Sequence, residues 1–407
     1  MFAASYIFYI VLLAFFCIMR IYRNSLGYDS AGSGGVWNII SIFFVFSAIL
    51  MFFNVIQRKF VFPLSIKLAL CFSLVAQFNC IFFINRFDLG FIYNYLMIGF
   101  CVSVLIVFFV ASQVPLSKKQ VYTSNFLLLA VIVMSFISVF LFRSGFLDFS
   151  MVSNAYYALC ILPLILMFTE KKRYRYFLYV FIGLIVIFSG KRTGLIAFGS
   201  FVIIVSLLES LKNNQLLSFV KTVGFLLGAG IIFYLLYIKF ASVYDLKLFE
   251  RMSNIAEDGG SGRNIMYQQI WNAMKESNVI SWMIGHGYGR TEDVLVMHAA
   301  AHNDFLEILY DYGFFAVVFF ILFYIQLFRE GIAMYRSKFK YASLFIGEII
   351  ISILLSFFSI YCVSFTYVIC GMASLGTILG YWYQHNRIMI LGETYNEINN
   401  GDNSTIH

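Results

Sequence analysis

The stretch FIYNYLMIGFCVSVLIVFFVA, residues 91–111, contains no charged residue. A helix of that length crosses a hydrocarbon core of about 30 Å. Its apolar residues do not alternate with the two-residue period of a half-buried strand. Comparable runs recur at 2–19, 36–56, 62–84, 125–142, 152–168, 176–190, 194–211, 217–238, 305–328, 343–362 and 365–383. The composition points the same way: 61% of the residues are hydrophobic, 20% aromatic and 12% charged, where soluble domains carry about 25% charged residues. Ten-residue alternating strands, the mark of an outer-membrane barrel, are absent from the sequence. The expected fold class is therefore all-α, a polytopic helical membrane protein of about 12 transmembrane helices.

The runs divide the chain into four parts. Residues 1–238 hold the first nine helices, and 239–304 form the one long polar loop. Residues 305–383 hold the last three helices, and 384–407 form a polar, asparagine-rich tail expected to be disordered. Met1-Phe2-Ala3-Ala4-Ser5 lacks a positive n-region and no small-residue cleavage site follows the first run, so it reads as a retained helix.

Lysine and arginine set the orientation. The densest basic clusters are Lys171-Lys172-Arg173 with Arg175, and Arg329, Arg336, Lys338 and Lys340. Placing both in the cytoplasm puts the two termini there and the long loop outside. In that loop acids outnumber bases, so the net charge of +8 is mostly cytoplasmic retention charge and does not point to nucleic acid. The seven cysteines (Cys17, Cys71, Cys80, Cys101, Cys160, Cys362 and Cys370) fall in or beside apolar runs, where they read as packing residues and not as a disulfide framework.

Against that orientation stands the short outer turn Ser189-Gly190-Lys191-Arg192-Thr193-Gly194. Two cations held rigidly on the face where no orientation rule requires them suit an anion site. The plain alternative is that both snorkel to lipid headgroups. Arg20, Arg23, Arg86 and Arg143 also lie outside, in looser surroundings that favour the headgroup reading. In the loop, Gly259-Gly260-Ser261-Gly262 precedes a segment with helical periodicity. Met266, Ile270, Ala273 and Met274 line one face of it, with Tyr267 and Trp271 beside them, and Asn264, Gln268, Lys275 and Glu276 lie opposite. Such a helix suits either the membrane interface or an ordinary protein surface, with Arg263 in its first turn.

The loop then runs through Gly285-His286-Gly287-Tyr288-Gly289-Arg290, which matches no phosphate loop. A zinc site from His286, His298 and His302 is disfavoured, because the spacing lacks a convincing third ligand and His298-Ala299-Ala300-Ala301-His302 lacks the glutamate of a zincin helix. The most specific feature is the start of the tenth apolar run. There Asp304, Glu307 and Asp311 share a helix face and His302 lies half a turn ahead. A carboxylate at mid-membrane costs about 2.5–3.5 kcal/mol, so these groups should face a wet cavity or cations such as Arg192 or Arg263.

Taken together, the long outer loop, the Gly-His-Gly motif, Ala301-His302-Asn303-Asp304-Phe305-Leu306-Glu307 and Tyr312-Gly313 resemble the O-antigen polymerase and ligase superfamily, and the Ser189–Gly194 turn resembles that family's serine-glycine-arginine turn. The resemblance lies mostly in residues 185–320. It implies a glycosyltransferase of the bacterial inner membrane, facing the periplasm, whose donor is a glycan on undecaprenyl pyrophosphate. No nucleotide sugar, metal or other cofactor is implied, and partners would be membrane lipids and a chain-length regulator. On this reading His302 is the base, with Asp304 or Glu307 orienting or replacing it. Arg192, Lys191 and Arg263 stabilise the leaving pyrophosphate, and His286, Arg290 and Asn303 contact substrate. A polymerase of lipid-linked repeat units is the preferred member, and a ligase acting on lipid A–core is its rival. A lipid-linked oligosaccharide flippase, the alternative of another class, would be expected to carry charges along the middle of several spans, whereas here they gather on one face.

Overall fold

The computed structural model describes residues 2–25, 36–57, 62–83, 89–143, 152–169, 171–212, 217, 219–224, 228, 230–231, 234–235, 263–296, 301–359 and 367–402. Its helices are α1 (Phe2–Ser25), α2 (Val36–Gln57), α3 (Leu64–Phe82), α4 (Leu89–Ala111), α5 (Lys118–Arg143), α6 (Ala155–Met167), α7 (Lys172–Ser189) and α8 (Arg192–Lys212). The polar loop contributes α9 (Arg263–Glu276), α10 (Val279–Ile284) and α11 (Thr291–Val294). Then come α12 (Asp304–Arg336), α13 (Ala342–Phe358) and α14 (Val368–Asp402). Among the described residues there is no strand, and the protein is an all-α polytopic membrane protein. Each expected span coincides with a helix except 217–238, which is described only in part.

Lipid supplies no hydrophobic drive between helices, so close packing holds this bundle together. The clearest case is α14 against α4. Gly376 and Gly380, four apart, face the α4 backbone so tightly that a Cβ on Gly376 would lie 2.5 Å from the Leu105 carbonyl oxygen. Polar groups pin the C-terminal ends of α1 and α5 to the start of α6. Asn154 accepts from Asn24 (2.9 Å) and donates to the Ser138 hydroxyl (2.8 Å), which in turn meets Ser25 at 2.6 Å. This network fixes the start of α6, next to which the candidate site is built.

Three features refine the sequence reading. The tail does not separate at residue 384, because α14 continues through it to Asp402. The apolar face of α9 is covered by protein: Met266, Ile270 and Met274 pack with Leu295, Ala301 and Tyr310. And α12 is broken at Gly313, whose φ of 83° and ψ of 179° interrupt the helix. The segment from Phe314 to Arg336 still rises about 34 Å at 1.5 Å per residue, enough to span. Residues Asp304 to Tyr312 therefore form a separate short helix ahead of the break and not the beginning of the span.

Candidate active site

The break in α12 is made by the Gly-His-Gly motif. At Gly313 the helix gives up hydrogen-bond partners, and the carbonyls before it are taken over by the loop. His286 N–H donates to Tyr310 O and Gly287 N–H to Asp311 O, both at 2.9 Å. Gly285 and Gly313 lie back to back. A Cβ on Gly285 would sit 2.6 Å from the Tyr312 nitrogen, and one on Gly313 would sit 2.5 Å from the Gly285 nitrogen. Asn79 of α3 donates to the Ile284 carbonyl oxygen and holds α10 from the other side.

His286, read from the sequence as a substrate contact, spends both ring nitrogens inside the protein. Nδ1 lies 3.0 Å from the Tyr310 carbonyl oxygen, to which it donates, Nε2 lies 2.8 Å from the Ser277 hydroxyl, and the ring stacks on Tyr310 at 4.1 Å. The geometry is that of a residue positioning the loop. Arg290 turns outward to an exposed pair with Asp293 at 2.9 Å, a contact worth about 0–1 kcal/mol at a surface.

Asp311 and Glu307 are taken up by the groups around them. Asp311 accepts from Gly289 N–H (3.0 Å), Thr291 N–H (2.8 Å) and the Thr291 hydroxyl (2.7 Å), so it caps α11. Glu307 reaches back over its own helix start and accepts the His302 N–H at 3.2 Å. Asn303 is the N-cap, its side-chain oxygen accepting from Leu306 N–H at 3.2 Å. Among the described residues, backbone N–H groups, together with the Thr291 hydroxyl, and not arginines, are the partners of Glu307 and Asp311. Asp304 is fully buried at the same helix start.

This capping leaves His302 in the left-handed region, at φ 58°. A non-glycine residue there pays about 1–2 kcal/mol, and such strain persists only where the surroundings enforce it. Arg263 and Lys191 lie within electrostatic reach of the imidazole. Burial first, then the charges of Arg263 and Lys191, lower it to about 4. It is therefore neutral at physiological pH and able to accept a proton.

Each cation is held by local structure. At the α7–α8 turn, Gly190 adopts φ 66° and its N–H bonds Ile187 O, while Ser189 donates to Val186 O (2.6 Å) and accepts the Lys191 N–H (3.2 Å). Lys191 and Arg192 thus begin α8 from a rigid turn, and the Thr193 hydroxyl ties that turn to Phe358 O of α13 at 3.0 Å. Arg263 opens α9, whose buried face anchors it against Ala301, next to His302. The structure thus brings His302, Arg263, Lys191 and Asn303 together at one end of the bundle, while Arg290 and the ring of His286 are engaged elsewhere.

Two tyrosines join the group. Tyr267 of α9 is within hydrogen-bond reach of Asn303, and burial raises its hydroxyl above the ordinary value. Tyr156, at the start of α6, meets Thr193 and Ser359 and feels Arg263. In the sequence, Tyr156-Tyr157 at the edge of an apolar run reads as part of an interfacial aromatic belt, and nothing separates it from the other tyrosines. The Gly259–Gly262 segment, His298 and Arg86 lie outside the described residues, as does the side chain of Arg143. Among the described residues no three His, Cys, Asp or Glu side chains are gathered as a metal ion would need.

A family model described as O-antigen ligase matches residues 177–321, from within α7 to within α12. The match spans the turn with Lys191 and Arg192, the polar loop and the His302 helix start. No curated protein matches the chain.

Proposed function

We propose that this chain, whose residues 177–321 match the family model described as O-antigen ligase, polymerises undecaprenyl-pyrophosphate-linked oligosaccharide repeat units into O-antigen or capsular polysaccharide, acting at the periplasmic face of the inner membrane. The observation that carries this reading is the convergence of Arg263 and Lys191 on a neutral His302. An acceptor hydroxyl oxygen attacks the anomeric carbon of the donor glycan. The bond from that carbon to the pyrophosphate oxygen breaks, and the carrier leaves as the pyrophosphate anion. The hydroxyl proton passes to the His302 imidazole, while Arg263 and Lys191, with Arg192 beside them, stabilise the charge that develops on the leaving group. Glu307 and Asn303 hold the backbone that aims His302, and so act as positioning residues.

Donor binding then tunes the base. The cations that hold His302 at about 4 are those that would bind the pyrophosphate, whose negative charge offsets their field. The imidazole becomes more basic when the donor is in place. A base must be unprotonated to act, so kcat/KM should fall as pH drops through about 4, while kcat should fall at a higher pH, because it reports the substrate complex. Arg263→Ala should lower turnover about 100- to 1000-fold, the usual loss for one donor to a developing oxyanion. It also removes a positive charge beside the imidazole, so protonation becomes easier and the acid limb of kcat/KM moves to higher pH. Steady-state rates between pH 3.5 and 8 check both effects, and an unmoved limb would separate Arg263 from His302.

A ligase that transfers the finished glycan to lipid A–core is the second reading, favoured by the description of the matching family. Both reactions use the same donor chemistry and differ in the acceptor. A lipopolysaccharide gel from a deletion strain distinguishes them. Core capped with one repeat unit means that polymerisation is lost while ligation survives. Bare core, with long polymer left on the carrier, means that the protein is the ligase.

A further inference from the structure

At the end of the bundle opposite His302, α5, α6 and α7 form an open groove of about 1030 Å³. Its mouth carries Lys118 in the first turn of α5, Lys171 just before α7 and Arg173 in the first turn of α7. Its deeper wall is apolar: Phe126 and Leu129 lie eight and eleven residues into α5, about 12–16 Å along the helix axis, and Phe177 lies a turn deeper on α7. Phe126 is 71% and Phe177 58% exposed, so this wall opens sideways to the bilayer. Arg173 and Lys171 both lie over the Tyr174 ring, at 5.2 and 6.0 Å from its centroid, which gathers the two charges at the rim. Among the described residues no carboxylate lines the groove. An adjoining hollow of about 590 Å³ shares Leu116, Val121 and Phe168 and extends the basic rim with Lys338 and Lys340.

Clustered positive charge at the groove's mouth, continuous with an apolar wall that opens to the bilayer, has the polarity of a single kind of molecule. We propose that this groove binds an anionic glycerophospholipid of the leaflet facing away from His302, with its phosphate against Lys118, Lys171 and Arg173 and one acyl chain along Phe126, Leu129 and Phe177. Positive-inside charge alone accounts for basic residues at helix ends, but it does not account for a cleft between helices in which charge and apolar wall are in register. Basic pockets of that kind on the cytoplasmic side select anionic headgroups. The site is independent of the acceptor that the catalytic end uses.

Native mass spectrometry of the full chain, released from detergent with equimolar phosphatidylglycerol and phosphatidylcholine, tests this. The wild type should retain phosphatidylglycerol over phosphatidylcholine about tenfold, as expected for several cations at a headgroup. The triple variant K118Q/K171Q/R173Q should lose that preference, and K67Q/K275Q, which removes as much charge elsewhere per residue changed, should keep it. Leu129→Trp fills the apolar wall and leaves the rim intact, so it should reduce phosphatidylglycerol retention by a similar factor. Equal retention of the two lipids by the wild type would overturn the proposal, as would an unchanged preference in the triple variant. Retention of soluble glycerol phosphate as firm as that of the lipid would mark a bare anion site and overturn it equally.

Discussion

Replacing His302 with alanine should abolish glycan extension, by about 100- to 10,000-fold, the range for losing a general base, while the protein still reaches the membrane. Alanine alone leaves an ambiguity, because His302 sits at φ 58° and its backbone is part of the helix start that Glu307 organises. His302→Asn resolves it. Asparagine adopts the left-handed region more readily than most residues, so it keeps the turn and removes the base. His302→Asn should be as inactive as His302→Ala and at least as stable to heating. If asparagine restored extension, the residue would serve the backbone and not the chemistry. Glycan ladders from complemented deletion strains, with the membrane level of each variant measured alongside, provide the readout.

The second large effect should come from a contact between two glycines. Gly285→Ala places a Cβ 2.6 Å from the Tyr312 nitrogen, and Gly313→Ala places one 2.5 Å from the Gly285 nitrogen, with backbone rather than flexible side chain in the way. Both residues also hold φ 83°, which favours glycine. Each substitution combines backbone strain of about 1–3 kcal/mol with loss of the His286 and Gly287 hydrogen bonds, each worth about 0.5–1.5 kcal/mol. The expected destabilisation is on the order of 3–5 kcal/mol. Activity should be lost with it, since the Asp304–Tyr312 segment that carries the His302 turn is held by this clasp. Thermal unfolding in detergent checks the size of the effect. Gly199→Ala, where nothing lies within 4 Å of the new Cβ, should leave the midpoint nearly unchanged.

The contrast between these two sites marks how far the sequence could be read. The spans were legible because the bilayer demands long apolar runs, and α4 meets that demand within residues 91–111. His302 and the Ser189–Gly194 turn stood out because charge at a lipid boundary is costly and therefore sparse. The break in α12 was not legible. Tyr312-Gly313 lies inside an apolar run, glycine is common in transmembrane helices, and the partner that makes the break necessary, Gly285, lies far back in the loop. The partners of Asp311 and Glu307 were not legible for a related reason. The spacing of the carboxylates correctly placed them on one face, but periodicity does not say what that face meets. Backbone N–H groups of residues 289, 291 and 302 take up Asp311 and Glu307, a demand created by how the loop folds. The same holds for α9, whose apolar stripe fits a membrane surface as well as the packing on Leu295, Ala301 and Tyr310 that it makes.

The His302 end of the bundle is proposed to transfer a glycan from a polyprenyl-pyrophosphate carrier to a lipid-linked acceptor. Reconstituting the protein in vesicles with undecaprenyl-pyrophosphate-linked repeat units as the sole substrate tests it most directly. The wild type should give a ladder of lengthening glycans, with one free carrier pyrophosphate released per unit added, and His302→Asn should give none. Repeat units that stay on their carriers with the wild type, and extend only when lipid A–core is supplied as acceptor, would contradict the polymerase reading. Units that remain untouched in both conditions would contradict the transferase itself.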